Sequence, residues 1–140
     1  MSVGWDVAAL DRQQCMHVLR EAPVGRVVAM EGTLPVVCTI PFSLMEDAVV
    51  VRVRCSSKLF AVAVENVVAF HVDTYDTATH ESRSVLIHGL AEEVIDLPGD
   101  RPPLGSDIGS GRDVDRLIRV RMTAMCGERV VFPHQEERPG

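Results

Sequence analysis

Apolar residues recur at helical spacing once near the start of the chain and at strand spacing almost everywhere after it. Asp11 is placed to cap a helix, and Gln14 three residues later completes a capping box. Leu10 and Cys15 fall at the staple positions on either side of that cap. Cys15, Val18, Leu19 and Ala22 form a stripe on one helical face, Pro23 ends the helix, and His17 lies off the stripe as a surface histidine. From Gly25 onward the period falls to two. It predicts strands over Val27–Met30, Val36–Ile40, Ala48–Arg54, Val67–Asp73, Ser84–Ile95, Leu117–Met125 and Arg129–Phe132. Turns are expected at Glu31–Gly32, Met45–Asp47 and Gly127. Pro41 has no N–H for a central ladder and belongs at an edge, a strand end or a bulge, and Gly89 marks a bulge, a bend or a close backbone approach.

Between these segments the pattern lapses. Residues 1–9 read as a lead-in whose Trp5 docks on the body or on a partner chain, and Asp73–Ser82 as a polar connection. Residues 98–111 carry three prolines and four glycines and read as a surface loop, and residues 133–140 as a charged tail. Six to seven short antiparallel strands with two short helices predict a mainly β fold, a small barrel in which closure removes exposed strand edges. The whole of 1–140 reads as a single domain. Strands and helices do not alternate, which disfavours a Rossmann sheet. The dinucleotide, P-loop and nucleophile-elbow glycine motifs are absent.

A formal net charge of -6 argues against general nucleic-acid binding, which draws its affinity from neutralised phosphates. No apolar run reaches membrane-spanning length and no leader is evident, so a cytoplasmic protein is expected. Cys15, Cys38, Cys55 and Cys126 form no C-x-x-C pair, and the five histidines show no ligand spacing, so no metal is expected. Cys38 and Cys55, in or beside strands, read as small buried hydrophobes. Glu92 and Glu93 point to opposite faces of one strand and read as a solvated edge rather than an acid/base pair.

The stretch from Arg52 to Asn66 carries the chemistry. Alternation puts Arg52 and Arg54 on one strand face. Ser56 or Ser57 then serves as N-cap of a short helix over Lys58–Glu65, with Asn66 at its end. Lys58 is the sole lysine among 14 basic residues. Hydroxyls and fixed positive charge where a strand meets a helix suit the phosphate of a small ligand. An ordinary capped helix on a solvated edge is the alternative.

The order of several strings adds to this. The Leu10–Ala22 helix is followed by V-G-R-V-V, V-V-C-T-I-P-F, V-R-V-R-C-S-S-K-L, V-A-F-H-V-D and S-V-L-I-H-G-L-A-E-E-V. The succession, over roughly Asp11 to Val131, resembles the pyridoxamine 5'-phosphate oxidase-like family of flavin-binding split barrels, and most of all its short bacterial members. The resemblance implies a split β-barrel homodimer with FMN at the subunit interface. It implies that Ser57 and Lys58, beside Ser56 and with Arg52 on the preceding strand, hold the FMN phosphate. The backbone of Thr39, Ile40, Pro41 and Phe42 would then run beside the isoalloxazine ring. Short members often read Gly-Ser-Lys where this chain has Ser56-Ser57-Lys58, and Trp-Ser-Val where it has Arg83-Ser84-Val85. Arg83 and Ser84 thereby become candidate flavin contacts, with Arg83 in place of an aromatic.

The tail lacks the basic substrate motif of the longer pyridoxamine phosphate oxidases. The expectation is therefore a flavin-dependent oxidoreductase acting on another small molecule, with the flavin supplying the redox chemistry. Within the enzyme class a deazaflavin coenzyme is the alternative to FMN. From a different class, the alternative is a non-catalytic flavin carrier. No residue stands out as an obligatory acid or base.

Overall fold

A computed structural model describes residues 4–95 and 115–133. Within them lie nine strands and two helices. In chain order these are β1 (Asp6–Leu10), α1 (Arg12–Glu21), β2 (Gly25–Glu31), β3 (Leu34–Ile40), β4 (Phe42–Met45), β5 (Ala48–Arg54), α2 (Lys58–Ala63), β6 (Val67–Asp76), β7 (Glu81–Val94), β8 (Asp115–Arg121) and β9 (Ala124–Val131).

All ladders are antiparallel, in the order β3-β2-β6-β7-β8-β5-β4, with β9 on β7 and β1 on β9. The 14-residue strand β7 joins the two halves of the fold. Its first part pairs β9 from Glu81 to His88, and its last part pairs β8 from Ala91 to Val94, on the edge opposite β6. The chain linking β8 to β9 passes over β7 at Gly89, where an added Cβ would lie 1.7 Å from the Arg121 carbonyl oxygen. At the other side β3 and β4 run end to end through Pro41. Ile40 and Phe42 face the core while Thr39 and Pro41 are exposed, so the alternation continues through the proline unbroken. Among the described residues no ladder joins β3 to β4, and the barrel is split there.

The interior is filled by the core-facing rows of both halves. Phe70, Val72, Ile87, Val49 and Val120 are each fully buried, and Phe42 meets Phe70 edge-to-face at 5.0 Å. Helix α1 buries Cys15, Val18 and Leu19 against β6, β7 and β9. Its capping box forms as expected: the Asp11 carboxylate accepts from Gln14 N and the Gln14 side chain accepts from Asp11 N, both at 2.8 Å. Helix α2 buries Leu59 and Ala63 against β2, β3 and β5. Ser57 caps it, accepting from Phe60 N at 3.1 Å, and the Asn66 side chain donates to Val62 O at 2.9 Å where the helix ends.

Several expectations change. The lead-in is partly a strand: β1 pairs along β9, and Trp5 meets Phe132 edge-on at 4.8 Å. The connection after Asp73 is mostly ladder, because β6 and β7 pair out to Asp76 and Glu81 and leave a four-residue turn. The last two strands part at Met122–Thr123, where Met122 N donates to Asp47 O, and not at Gly127. Gly127 lies inside β9, paired with Leu10 and Val85, and an added Cβ there would sit 2.6 Å from Cys15 Sγ. Helix α2 stops at Ala63, two residues before the expected end. Cys55 is exposed and Cys38 only half-buried, so of the two neither is a fully buried hydrophobe. The 98–111 loop and the tail beyond Pro133 lie outside the described residues.

Glu92 and Glu93 are half-buried and carry ion pairs to β8. Glu92 accepts from Arg121 Nε at 2.6 Å and Arg119 at 3.5 Å, and Glu93 from Arg116 at 3.0 Å. The hydrogen bond from Arg121 holds the Glu92 carboxyl below its usual pKa. The two carboxylates serve the ladder separately, on opposite faces.

Candidate functional site

Strand β5 enters this region buried as far as Val51 and Val53, and its even-numbered positions emerge as Arg52 and Arg54. A turn closes from Arg54 O to Ser57 N at 3.0 Å, which brings Ser56, Ser57 and Lys58 round beside the strand end. Arg52 is largely covered, its side chain 12% exposed, and its guanidinium lies 4.0 Å from the Asp115 carboxylate on β8. Lys58 stands in the open, 62% exposed, and donates to Glu31 Oε1 at 3.3 Å across the end of β2. The Ser57 hydroxyl caps α2.

The β4–β5 register carries Arg52 to the Pro41 bend. Phe42 pairs Val51, so Arg52 stands one residue farther on, level with Pro41. The structure therefore sets Pro41 level with Arg52, while Lys58 reaches Glu31 at the end of β2 that pairs Leu34, five residues along β3 from Thr39. Ile40 and Phe42 spend their side chains on the core, which leaves Thr39 and Pro41 exposed at this edge.

Arg83 and Ser84 stand apart from this cluster. Directly opposed residues of an antiparallel ladder share a face. The row Thr39, Arg26, His71, Leu86 therefore puts Ser84, two residues from Leu86, on the same outer face as Thr39. Three ladder steps and two residues along β7 separate them, roughly 16 Å. Arg83 is on the opposite face, against α1. It also lies at the far end of β7 from Leu90, which pairs Val67 near α2, a separation of roughly 23 Å along the strand. Within one chain Arg83 does not reach the Ser57–Lys58 cluster. Alternation puts the Arg83 and Ser84 side chains on opposite faces of β7.

Two partners of the site escaped the sequence. Glu31 reaches Lys58 over 27 positions, and Asp115 reaches Arg52 over a longer separation. A carboxylate in a turn or at a strand start carries no local signal of the cation it meets. Among the described residues no group of three or more His, Cys, Asp or Glu could hold a metal. No described helix is long and apolar enough to cross a membrane.

Similarity to known proteins agrees with this geometry. The chain is 33% identical over 97 residues to the uncharacterized protein Rv0080 of Mycobacterium tuberculosis, a match covering 65% of this chain and 63% of that protein's length. The fold is similar to that of an FAD binding protein from Mycobacterium smegmatis, with a TM-score of 0.72 at 24% identity over 89% of this chain and 98% of that one. It is similar as well to an FAD-binding protein from Mesorhizobium loti, with a TM-score of 0.70 at 18% identity over 91% and 98%. At such identities the likeness speaks for the split-barrel fold. The sequence profile of pyridoxamine 5'-phosphate oxidase matches residues 11–101, which span α1, the Pro41 bend and the whole Arg52–Lys58 junction. The chain belongs to the pyridoxamine 5'-phosphate oxidase family.

Proposed function

We propose that this protein binds a flavin nucleotide and serves as a flavin-dependent oxidoreductase on a small molecule. The observation that carries the reading is Arg52, at the start of the Arg52–Lys58 junction, standing level with Pro41 inside the segment that matches the family. An ammonium, a guanidinium and two hydroxyls form a donor set suited to a phosphate monoester. The exposed edge at Thr39–Pro41 suits a planar ring. Lys58 and Arg52 would hold the phosphate, with Ser56 and Ser57 beside it, and the backbone of Thr39–Phe42 would orient the ring. A bound flavin supplies the redox chemistry, and the chain supplies binding, orientation and electrostatics. Glu31 competes for Lys58, so phosphate binding exchanges one exposed ion pair for a stronger charge-assisted contact.

FMN is the proposed form. FAD is the second reading, because two proteins of similar fold bind it. Charge-assisted hydrogen bonds contribute roughly 1.5–3 kcal/mol each, so Lys58→Ala is expected to weaken FMN about ten- to a hundredfold. Riboflavin, which lacks the phosphate, should be nearly indifferent to the substitution. Titrating FMN, FAD and riboflavin into wild type and Lys58→Ala checks this. Equal losses for FMN and riboflavin, or unchanged FMN affinity, place the phosphate elsewhere. Wild-type affinity for FAD above that for FMN selects the second reading.

The proposed assembly is a homodimer with the flavin in its seam. The outer face around Thr39 supports it. Val28 opposes Val37 there, Met30 opposes Pro35, and Val67 opposes Leu90. Met30, Val37 and Val67 are 53%, 58% and 69% exposed, a large apolar surface for one chain to leave in water. Sedimentation at micromolar concentration is expected to give twice the chain mass. A monomer with full flavin affinity overturns the shared site.

A further inference from the structure

Helix α1, strand β1 and the paired strands β7 and β9 enclose a groove of about 760 Å³ on the face of β7 away from Thr39. Two arginines line it side by side. Arg83 and Arg129 are directly opposed in the β7–β9 ladder, an arrangement of like charges that costs stability. One carboxylate answers both: Glu81 Oε2 lies 2.9 Å from Arg83 Nη2, and Glu81 Oε1 accepts from Arg129 Nη1 at 2.9 Å. Glu81 thereby holds the two guanidinium groups together and fixes their orientation. Each guanidinium carries five N–H donors, and a single shared carboxylate leaves most of them for another acceptor. The side chains remain 44% and 33% exposed.

We propose that this groove is a binding site for a small organic monocarboxylate with an apolar body, separate from the flavin site and independent of the flavin reading. Arg83 and Arg129 less Glu81 leave one positive charge on the ladder wall, and the Asp11 carboxylate on the helix wall opposes a second negative charge, so a monoanion fits better than a phosphate dianion. That carboxylate is held in the first turn of α1, where it accepts from Gln14 N. The rest of the wall is mixed: Gln13, Gln14 and His17 are polar, while Ala8, Ala9, Leu10 and Val18 offer contact to a hydrocarbon body. Planar forked donors suit a carboxylate in particular, since they present parallel N–H bonds to its two oxygens.

Benzoate is the probe, followed by the Nε–Hε signals of the arginine side chains in NMR spectra of the full chain. Benzoate is expected to shift Arg83 and Arg129 and leave Arg116 on β8 in place, and benzyl alcohol of the same shape to shift neither. Arg83→Ala and Arg129→Ala should each weaken benzoate about tenfold or more, the loss expected for one charge-assisted contact. Both replacements relieve a like-charge pair, so folding is expected to survive, and the amide spectrum reports it. Arg116→Ala, elsewhere on the sheet, should leave the affinity unchanged. No response to benzoate up to its solubility, or equal response to benzyl alcohol, overturns the site. Equal weakening in Arg116→Ala reduces it to general surface charge and overturns it too. Inorganic phosphate binding more tightly than benzoate overturns the monocarboxylate class.

Discussion

Phe70→Ala is expected to destabilise the protein by about 3–5 kcal/mol, the range for removing a fully buried ring and leaving a cavity. The ring is completely buried, and its loss would be felt on three sides. It packs edge-to-face on Phe42 at the Pro41 bend. It also lies under Gly25, where an added Cβ would fall 2.2 Å from its tip, so the first residue of β2 rests on the ring. On β6 it pairs both Val27 and Ile87, the central rows of the sheet. Edge-to-face rings add roughly 0.5–1.5 kcal/mol beyond area burial, which argues for the upper part of the range. A melting temperature lowered by roughly 10 °C or more, together with an unchanged denaturant m-value, is the expected readout. A shift of only a degree or two would mean that the neighbouring strands collapse into the space. Since Phe42 would lose its support, flavin affinity should fall in the same variant. Phe70→Leu, which keeps most of the volume, should restore much of both.

Gly89→Ala is expected to cost more than its single methyl group suggests. The added carbon would meet the Arg121 carbonyl oxygen at 1.7 Å and its carbonyl carbon at 2.7 Å. Both are backbone atoms, so no side chain can turn aside. Relief requires moving the end of β8, which Met122 N anchors to Asp47 O at 3.0 Å and which pairs β5 along its full length. Overpacking against side chains costs about 1–3 kcal/mol, and against anchored backbone the expected loss is about 3 kcal/mol or more. Gly4→Ala is the control, because nothing lies within 4 Å of the added carbon there. Chemical denaturation of the two variants beside wild type decides the matter. Equal stability of Gly89→Ala and Gly4→Ala would mean that the β8–β9 crossover does not press on β7 in solution.

Both substitutions act where the two halves of the barrel are joined, and the same joints position the candidate site. The bend at Pro41 lays an exposed edge beside Arg52, and β7 carries Ser84 onto the outer face while turning Arg83 beneath α1. Within one chain, the arginine expected as a flavin neighbour lies on the other face of β7 from Ser84. The family pattern at that position concerns adjacent residues, and adjacent strand residues point opposite ways.

What the sequence by itself determined is what depends on near neighbours. Asp11 and Gln14 formed their capping box because both partners lie within one helical turn, and Ser57 capped α2 for the same reason. The stripe of Cys15, Val18, Leu19 and Ala22 and the alternation along β6 foretold which of their side chains are buried, whereas β5 is buried on both faces from Ala48 to Val51. The Arg52–Lys58 junction was legible because a strand end, two serines and the only lysine are contiguous. The tertiary structure decided everything that rests on a distant partner. Strand β1 carries little apolar alternation and exists because β9 supplies its hydrogen bonds. Gly127 resembles a turn in sequence, yet it is a strand residue made small by Cys15, more than a hundred positions earlier. The Lys58–Glu31 and Arg83–Glu81–Arg129 contacts likewise follow from which strands lie side by side. Periodicity reports which face of a strand is apolar, but it does not carry the identity of the strand across the ladder or the backbone that presses on a glycine from beyond it.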